Sequence, residues 1–421
     1  MYSGVKRFDM KKPPVKQNRV LLAVSWLLSF PGVWMHNTRI KESKTEDLKP
    51  PYLLLCNHNA FSDFKVATAA MFPYRSNFVV AVDGFIGREW LMRKLGCIAK
   101  RKFTNDMMLI RHLQRVIANG NIPVIYPEAR YSLCGTTAVL PESLGKLCKL
   151  LKVPVVSLII NGHHINSPFW NTKERRVRPI DAALTRLFST EELLSASVCE
   201  INERIREAFK YDDFAWQKEN RIRVSNPKRA EGLHKVLYQC PNCKAEYRMI
   251  SKGARLLCEA CGKAWLMGIY GELSAEDGQT EFSHIPDWYE WERQNVKAEV
   301  QEGAYSFSSP ATVYSLPNSK GFIRLGEGTL THNMEGFAVQ GLTSHGVQFE
   351  MIKPVPSMYS CHIEYNYLKK YGDCIDLNTL DDTYYIYPHG SAFSVTKIAL
   401  ATEELYAQHV KKPSVLKNSF S

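Results

Sequence analysis

Tyr52-Leu53-Leu54-Leu55-Cys56-Asn57-His58-Asn59-Ala60-Phe61-Ser62-Asp63 reads as a short apolar strand that runs straight into a polar turn. The apolar run has strand length. In an open α/β sheet, ligands gather outside the carboxyl ends of strands, so the turn would stand where such sites form. It carries an imidazole and, five positions later, a carboxylate. An imidazole titrates near neutrality and can take a proton from a hydroxyl. A carboxylate that accepts from its far nitrogen fixes its tautomer and orientation. His58 is thus the candidate base and Asp63 its orienting partner. An isolated HxxxxD recurs by chance, so its meaning depends on the sequence downstream of it.

Working outward, short β-rich runs at residues 52–56, 77–82, 122–126 and 153–160 alternate with helix-length segments, which is an α/β pattern. A run opening at Thr190 and periodic through Leu194, Val198, Ile201, Ile205 and Phe209 predicts one amphipathic helix closing this unit. Three further blocks succeed the first at intervals: Gly96-Cys97-Ile98-Ala99-Lys100-Arg101-Lys102, then Ile125-Tyr126-Pro127-Glu128-Ala129-Arg130-Tyr131-Ser132, then Val153-Pro154-Val155-Val156.

With these four blocks in order, residues 45–210 resemble the glycerolipid acyltransferase family, the phospholipid-synthesis enzymes typified by 1-acylglycerol-3-phosphate acyltransferase. The resemblance covers under half of the chain. It implies that His58 and Asp63 are the catalytic pair, preceded by Asn57, with Ala60 where the family has serine. It assigns Gly96 and either Arg101 or Lys102 to the acceptor, together with Glu128 and Arg130 of the third block. Arg130 lies one place early, and Ala129 replaces a glycine, which restricts the backbone there. A guanidinium suits a phosphate because its planar fork donates two parallel bonds, so Arg101 and Arg130 are the headgroup candidates. The fourth block implies an acyl-chain support or a sheet-closing strand.

The implied reaction moves a fatty acyl group from a thioester, acyl-CoA or acyl-carrier protein, to a hydroxyl of a lysophospholipid such as 1-acyl-sn-glycerol-3-phosphate. It needs no covalent acyl-enzyme and no catalytic cofactor. The alternative is a catalytically inactive, lipid-binding version of the same fold whose cysteine unit recruits a partner, suggested by Ala60, Ala129 and the shifted Arg130.

Residues 20–35, VLLAVSWLLSFPGVWM, form the one long apolar run, and Lys6, Arg7, Lys11, Lys12, Lys16 and Arg19 precede it against the single acid Asp9. At sixteen residues interrupted by Pro31-Gly32, it falls short of the ~20 that cross a bilayer. Residues 1–45 are therefore expected to lie on the membrane as an interfacial or re-entrant anchor, with a buried core helix as the other reading. No small-residue cleavage site succeeds it, so removal as a signal is not expected. A net charge of +12 draws the chain to anionic surfaces. Scattered cysteines in apolar runs fit a reducing compartment. The expected location is cytoplasmic, peripheral or monotopic at the membrane surface. Membrane lipids and a thioester carrier are the expected partners, nucleic acid is not, and no oligomeric state is written in the sequence.

Cys240, Cys243, Cys258 and Cys261 make two CxxC knuckles fourteen residues apart, the spacing of a zinc ribbon over residues 234–267. Four thiolates close a tetrahedral Zn(II) with no open position, so the expected ion is structural. Residues 211–233 read as a polar, basic linker. Residues 268–421 read as a β-rich domain of about seven strands with a closing helix, the pattern of a PH-like barrel. The other histidines, His163, His164, His332 and His345 among them, have no ligand spacing and receive no role.

Overall fold

The computed structural model describes residues 5–369 and 372–411. The first four residues of the expected anchor and residues 412–421 of the C-terminal unit lie outside the described residues.

Strands β1 Arg39–Ser43, β2 Leu53–Cys56, β3 Ser76–Ala81, β4 Ile98–Lys100, β5 Ile122–Ile125, β6 Val155–Asn161 and β7 Asp181–Phe188 form one sheet in the order β1-β7-β6-β2-β5-β3-β4. The apolar run before the His58 turn is the central strand, parallel to β5 and β6. All four residues of β2 are buried, which is why it reads as continuously apolar rather than alternating. Strands β7 and β1 run opposite to the other five, β7 pairing antiparallel with β6 and β1 parallel with β7.

The helices of this unit are α1 Arg19–Met35, α2 Asp63–Ala70, α3 Glu89–Lys94, α4 Met107–Ala118, α5 Leu144–Leu151, α6 His163–Asn166, α7 Thr190–Ser195, α8 Val198–Ala208 and α9 Asp213–Glu219. The pleat sends Leu53 and Leu55 to a core made with Leu113, Cys148 and Ile201 of α4, α5 and α8. Leu54 and Cys56 face the other way, toward Val66 and Ala67 of α2. The single helix expected from Thr190 is two helices, because Ser189 with Glu192 and Ser197 with Glu200 each form a complete capping box.

Helix α1 continues through Pro31 and lies on α2, with Trp26 and Phe30 edge-on to Phe72. Its outer face leaves Val20, Leu27, Leu28 and Trp34 exposed. Among the described residues no helix is long and apolar enough to cross a membrane.

The stretch read as a linker is built into the core. It holds α9, and Tyr211, Phe214, Trp216, Ile222, Val224, Ala230 and Leu233 are buried. Their apolar side chains are dispersed among charges, so no periodic signal marks them.

The cysteine unit is a four-stranded antiparallel sheet of β8 Met249–Lys252, β9 Arg255–Cys258, β10 Ala264–Met267 and β11 Leu273–Ala275, in the order β11-β10-β9-β8. Its edge strand β11 lies beyond the expected boundary at residue 267 and pairs with β10. Helix α10 Ile285–Gln301, which no expectation covered, sets Trp288 edge-on to Trp265 of the ribbon with ring centroids 4.9 Å apart.

The C-terminal sheet comprises β12 Ser306–Ser315, β13 Ile323–Asn333, β14 Gly336–Thr343, β15 Gln348–Pro354, β16 His362–Glu364, β17 Cys374–Asn378 and β18 Thr383–Pro388, followed by α11 Val395–Lys411. Its order, β15-β14-β13-β12-β18-β17-β16, leaves β15 and β16 as edges, so it is a half-barrel and not a closed one. One buried apolar cluster runs from Leu54 through Trp265 and Trp288 to Leu405, joining the three units.

Candidate active site

Strand β2 delivers the turn, and Asn57 splices it to its neighbour. The fully buried Asn57 amide accepts from the Ile160 N–H at 2.8 Å and donates to the Ile160 carbonyl at 3.0 Å. Expected at the substrate, this side chain holds β2 and β6 in register where they end.

Asp63 opens α2, where the helix dipole favours a negative charge. Its Oδ2 accepts from His58 Nδ1 at 3.0 Å, the Asn59 N–H at 2.7 Å and the Ala60 N–H at 3.0 Å. Its Oδ1 accepts from His163 Nδ1 at 2.6 Å. Burial alone would raise this carboxyl, but the bonds from His163 and His58 outweigh it and hold it at about 2. The carboxylate is therefore ionised throughout the neutral range. His58 keeps 22% of its side chain exposed and lies against the rings of Tyr126 and Tyr131, at centroid distances of 4.1 and 4.2 Å. With Nδ1–H donated to Asp63, the lone pair of His58 stands on Nε2.

The third block forms the wall behind the histidine. The Ser132 N–H donates to the His58 carbonyl at 2.8 Å. Glu128, fully buried, accepts from the His58 N–H at 3.3 Å, the Ala138 N–H at 2.9 Å and the Tyr211 hydroxyl at 3.1 Å. Burial pushes its carboxyl up to about 7 against those bonds. Glu128 shapes the turn from inside and is not presented to a substrate. Ala129 occupies the left-handed region at φ 55°, the conformation a glycine would supply without strain.

The basic residues expected at the acceptor are drawn elsewhere. Arg130 is 4% exposed and pairs with Glu403 of α11 at 2.7 Å. Arg101 is 1% exposed and donates to the carbonyls of Leu316, Pro317 and Asp381 and to the Thr383 hydroxyl. Lys102 lies between Asp376 at 3.4 Å and Asp83 at 3.9 Å. Gly96 turns the chain at φ 76°, where a Cβ would strike the Asn77 amide and the Val15 carbonyl. Arg101 and Arg130, the expected headgroup ligands, are thus engaged with partners inside the protein. Both guanidiniums clamp the C-terminal unit onto the α/β unit, which a reading of local motifs does not contain.

Sequence reasoning passed over His163, Tyr131 and Tyr211. A usable signal existed for the first: Gly162-His163 comes directly after β6, which runs parallel to β2, so both strands deliver their next residues to one edge.

The four cysteines come together as their spacing predicts, with all Sγ atoms within 4.8 Å of one another. Cys240 and Cys261 sulfurs are 3.8 Å apart, and those of Cys243 and Cys258 3.7 Å. Zn–S bonds of about 2.3 Å in a tetrahedron set sulfurs roughly 3.8 Å apart, so the donor set fits such an ion.

Residues 36–161 match the model of the family described as Acyltransferase. That segment contains the central strand, the His58 and Asp63 turn and the Glu128 wall, and it is an acyltransferase domain. Among solved structures, a similar one is the 1-acyl-sn-glycerophosphate (LPA) acyltransferase PlsC from Thermotoga maritima, at 15% identity, covering 45% of this chain and 77% of that one with a TM-score of 0.37. A comparison with curated proteins gave no match.

Proposed function

We propose that this acyltransferase moves a fatty acyl group from a thioester, acyl-CoA or acyl-carrier protein, to a hydroxyl of a lysophospholipid. His58 Nε2 takes the hydroxyl proton while the oxygen attacks the thioester carbonyl. The tetrahedral intermediate collapses with departure of the thiolate, which takes up the proton from the imidazolium. Asp63 holds the tautomer and balances the transient positive charge. The supporting observation is the 3.0 Å contact between His58 Nδ1 and Asp63 Oδ2 at the carboxyl end of the central strand, inside the family-matched segment.

On this reading the exposed apolar face of α1, beside the basic N-terminal residues, rests on a cytoplasmic membrane surface and brings the site to its lipid acceptor. The four cysteines hold a structural Zn(II), whose part is to fix the ribbon fold. With Arg101 and Arg130 committed to the C-terminal unit, the acceptor headgroup is gripped by other groups than these two.

The experiment is transfer of labelled acyl groups from acyl-CoA and from acyl-carrier protein to a panel of lysolipids, with wild type and His58→Ala side by side. Transfer by wild type that disappears in a folded His58→Ala protein supports the proposal. Equal transfer by both refutes His58 as the base, and none by wild type with any donor and acceptor refutes the proposal in favour of the inactive, lipid-binding alternative.

A further inference from the structure

Asp63 carries two histidines. His163 opens α6 directly after β6, and its Nδ1 lies 2.6 Å from Asp63 Oδ1, on the carboxylate oxygen opposite the one that meets His58 at 3.0 Å. Both His163 and Asp63 are buried, at 2% and 0% exposure. On the reading of His58 as the base, we propose that His163 is a positioning residue, which fixes the plane of the Asp63 carboxylate so that Oδ2 faces His58 Nδ1 and Nε2 is left for the acceptor hydroxyl.

The terminal torsion of an aspartate is broad, so a carboxylate anchored through one oxygen alone can swing. Here Oδ2 is anchored by three N–H groups and Oδ1 by the His163 imidazole. Loss of that imidazole leaves a buried carboxylate oxygen without its donor, a costly state that is relieved by rotation or protonation of Asp63. Either response deprives His58 of its acceptor. His163 donates a hydrogen bond and exchanges no proton with the substrate.

The surrounding groups leave this arrangement undisturbed near neutrality. Burial raises the Cys56 thiol and the Tyr126 and Tyr131 hydroxyls, which stay protonated. Burial pushes His164 down to about 3, so it is neutral, and Asp213 up to about 8, so it is protonated. Glu128, raised to about 7 by burial, is the remaining acid whose charge reaches the turn.

The test uses the full chain with the donor and acceptor that wild type accepts. His163→Ala is expected to lower kcat about tenfold or more with little change in KM. It should also move the acidic limb of the pH–rate profile to lower pH, because an imidazole that has lost its carboxylate acceptor holds a second proton less tightly. His163→Asn, whose amide donates from a similar place, should recover most of kcat. An unchanged kcat and pH limb in folded His163→Ala overturns the proposal. So does equal loss in both variants when their melting temperatures match wild type. Nitrogen-15 histidine NMR gives a readout independent of turnover: His163 should be the Nδ1–H tautomer in wild type, and an Nε2–H tautomer overturns the contact. A wild type that transfers nothing defeats the base reading itself, whereas active wild type with an indifferent His163→Ala defeats this inference alone.

Discussion

Replacing Glu403 with glutamine should loosen the seam between the α/β unit and the C-terminal unit. Glu403 is 3% exposed and sits on α11. Its carboxylate meets Arg130 at 2.7 Å, Ser360 Oγ at 2.7 Å and Arg293 at 2.8 Å. Burial by itself would raise this carboxyl and lower both guanidiniums, yet the mutual attraction shifts Glu403 down and Arg130 and Arg293 up. Glutamine keeps the shape, removes the charge, and turns an amide N–H₂ toward a guanidinium. Leaving a buried charge without its partner costs about 3–5 kcal/mol. For a cooperative unit of 150–250 residues, each kcal/mol moves the melting temperature by roughly 2–4 °C, so a fall on the order of 10 °C is expected. The assay is a thermal melt of wild type, Glu403→Gln and the exposed control Glu350→Gln. Arg130 precedes Tyr131, which lies on His58, so acyl transfer should fall as well. A Glu403→Gln melt within about 2 °C of wild type, against the expected drop, would refute the view that this carboxylate neutralises two buried guanidiniums.

The same structure sets four further outcomes. Ala129→Gly should raise stability by about 1 kcal/mol, since the left-handed backbone at φ 55° costs an alanine that much more than glycine; a urea midpoint that stays or falls goes against it. Asp63 titrates at about 2 in the folded chain against an ordinary 3.8, so the stability it contributes is complete above about pH 4 and is lost as pH falls through 2. Glu128 has the opposite sign: its carboxyl is raised from 4.5 to about 7, so its contribution is complete below pH 4.5 and lost as pH rises through 7. Melting temperatures of wild type and Glu128→Gln between those values should therefore diverge in slope, the variant being flatter. Finally, a strong chelator should lower the melting temperature and release about one metal per chain, as measured by elemental analysis; Cys243→Ser should reproduce the loss, and a metal-free chain that melts unchanged would exclude a structural ion.

The sequence by itself determined the parts whose signals are local. A five-residue apolar run ending at Cys56 reads as a strand from its own residues, while its buried central place comes from the sheet order. The His58 and Asp63 spacing is closed by one turn into a helix, so nearby residues alone bring the pair together. Two CxxC knuckles needed only a short hairpin between them to converge. The tertiary structure decided the rest, because those contacts join segments whose separation in the chain carries no pattern. Arg130 and Arg101 look like headgroup ligands until α11 and the strands of the half-barrel supply Glu403 and Thr383, more than 270 positions away. His163 looks like an idle histidine until the parallel pairing of β6 with β2 sets it on Asp63. The stretch at 211–233 reads as solvated because its apolar residues lack a period, and only the faces they meet show that they belong to the core. A motif records which chemistry a turn can perform, whereas the partners of a buried charge are set by whichever elements the fold lays against it.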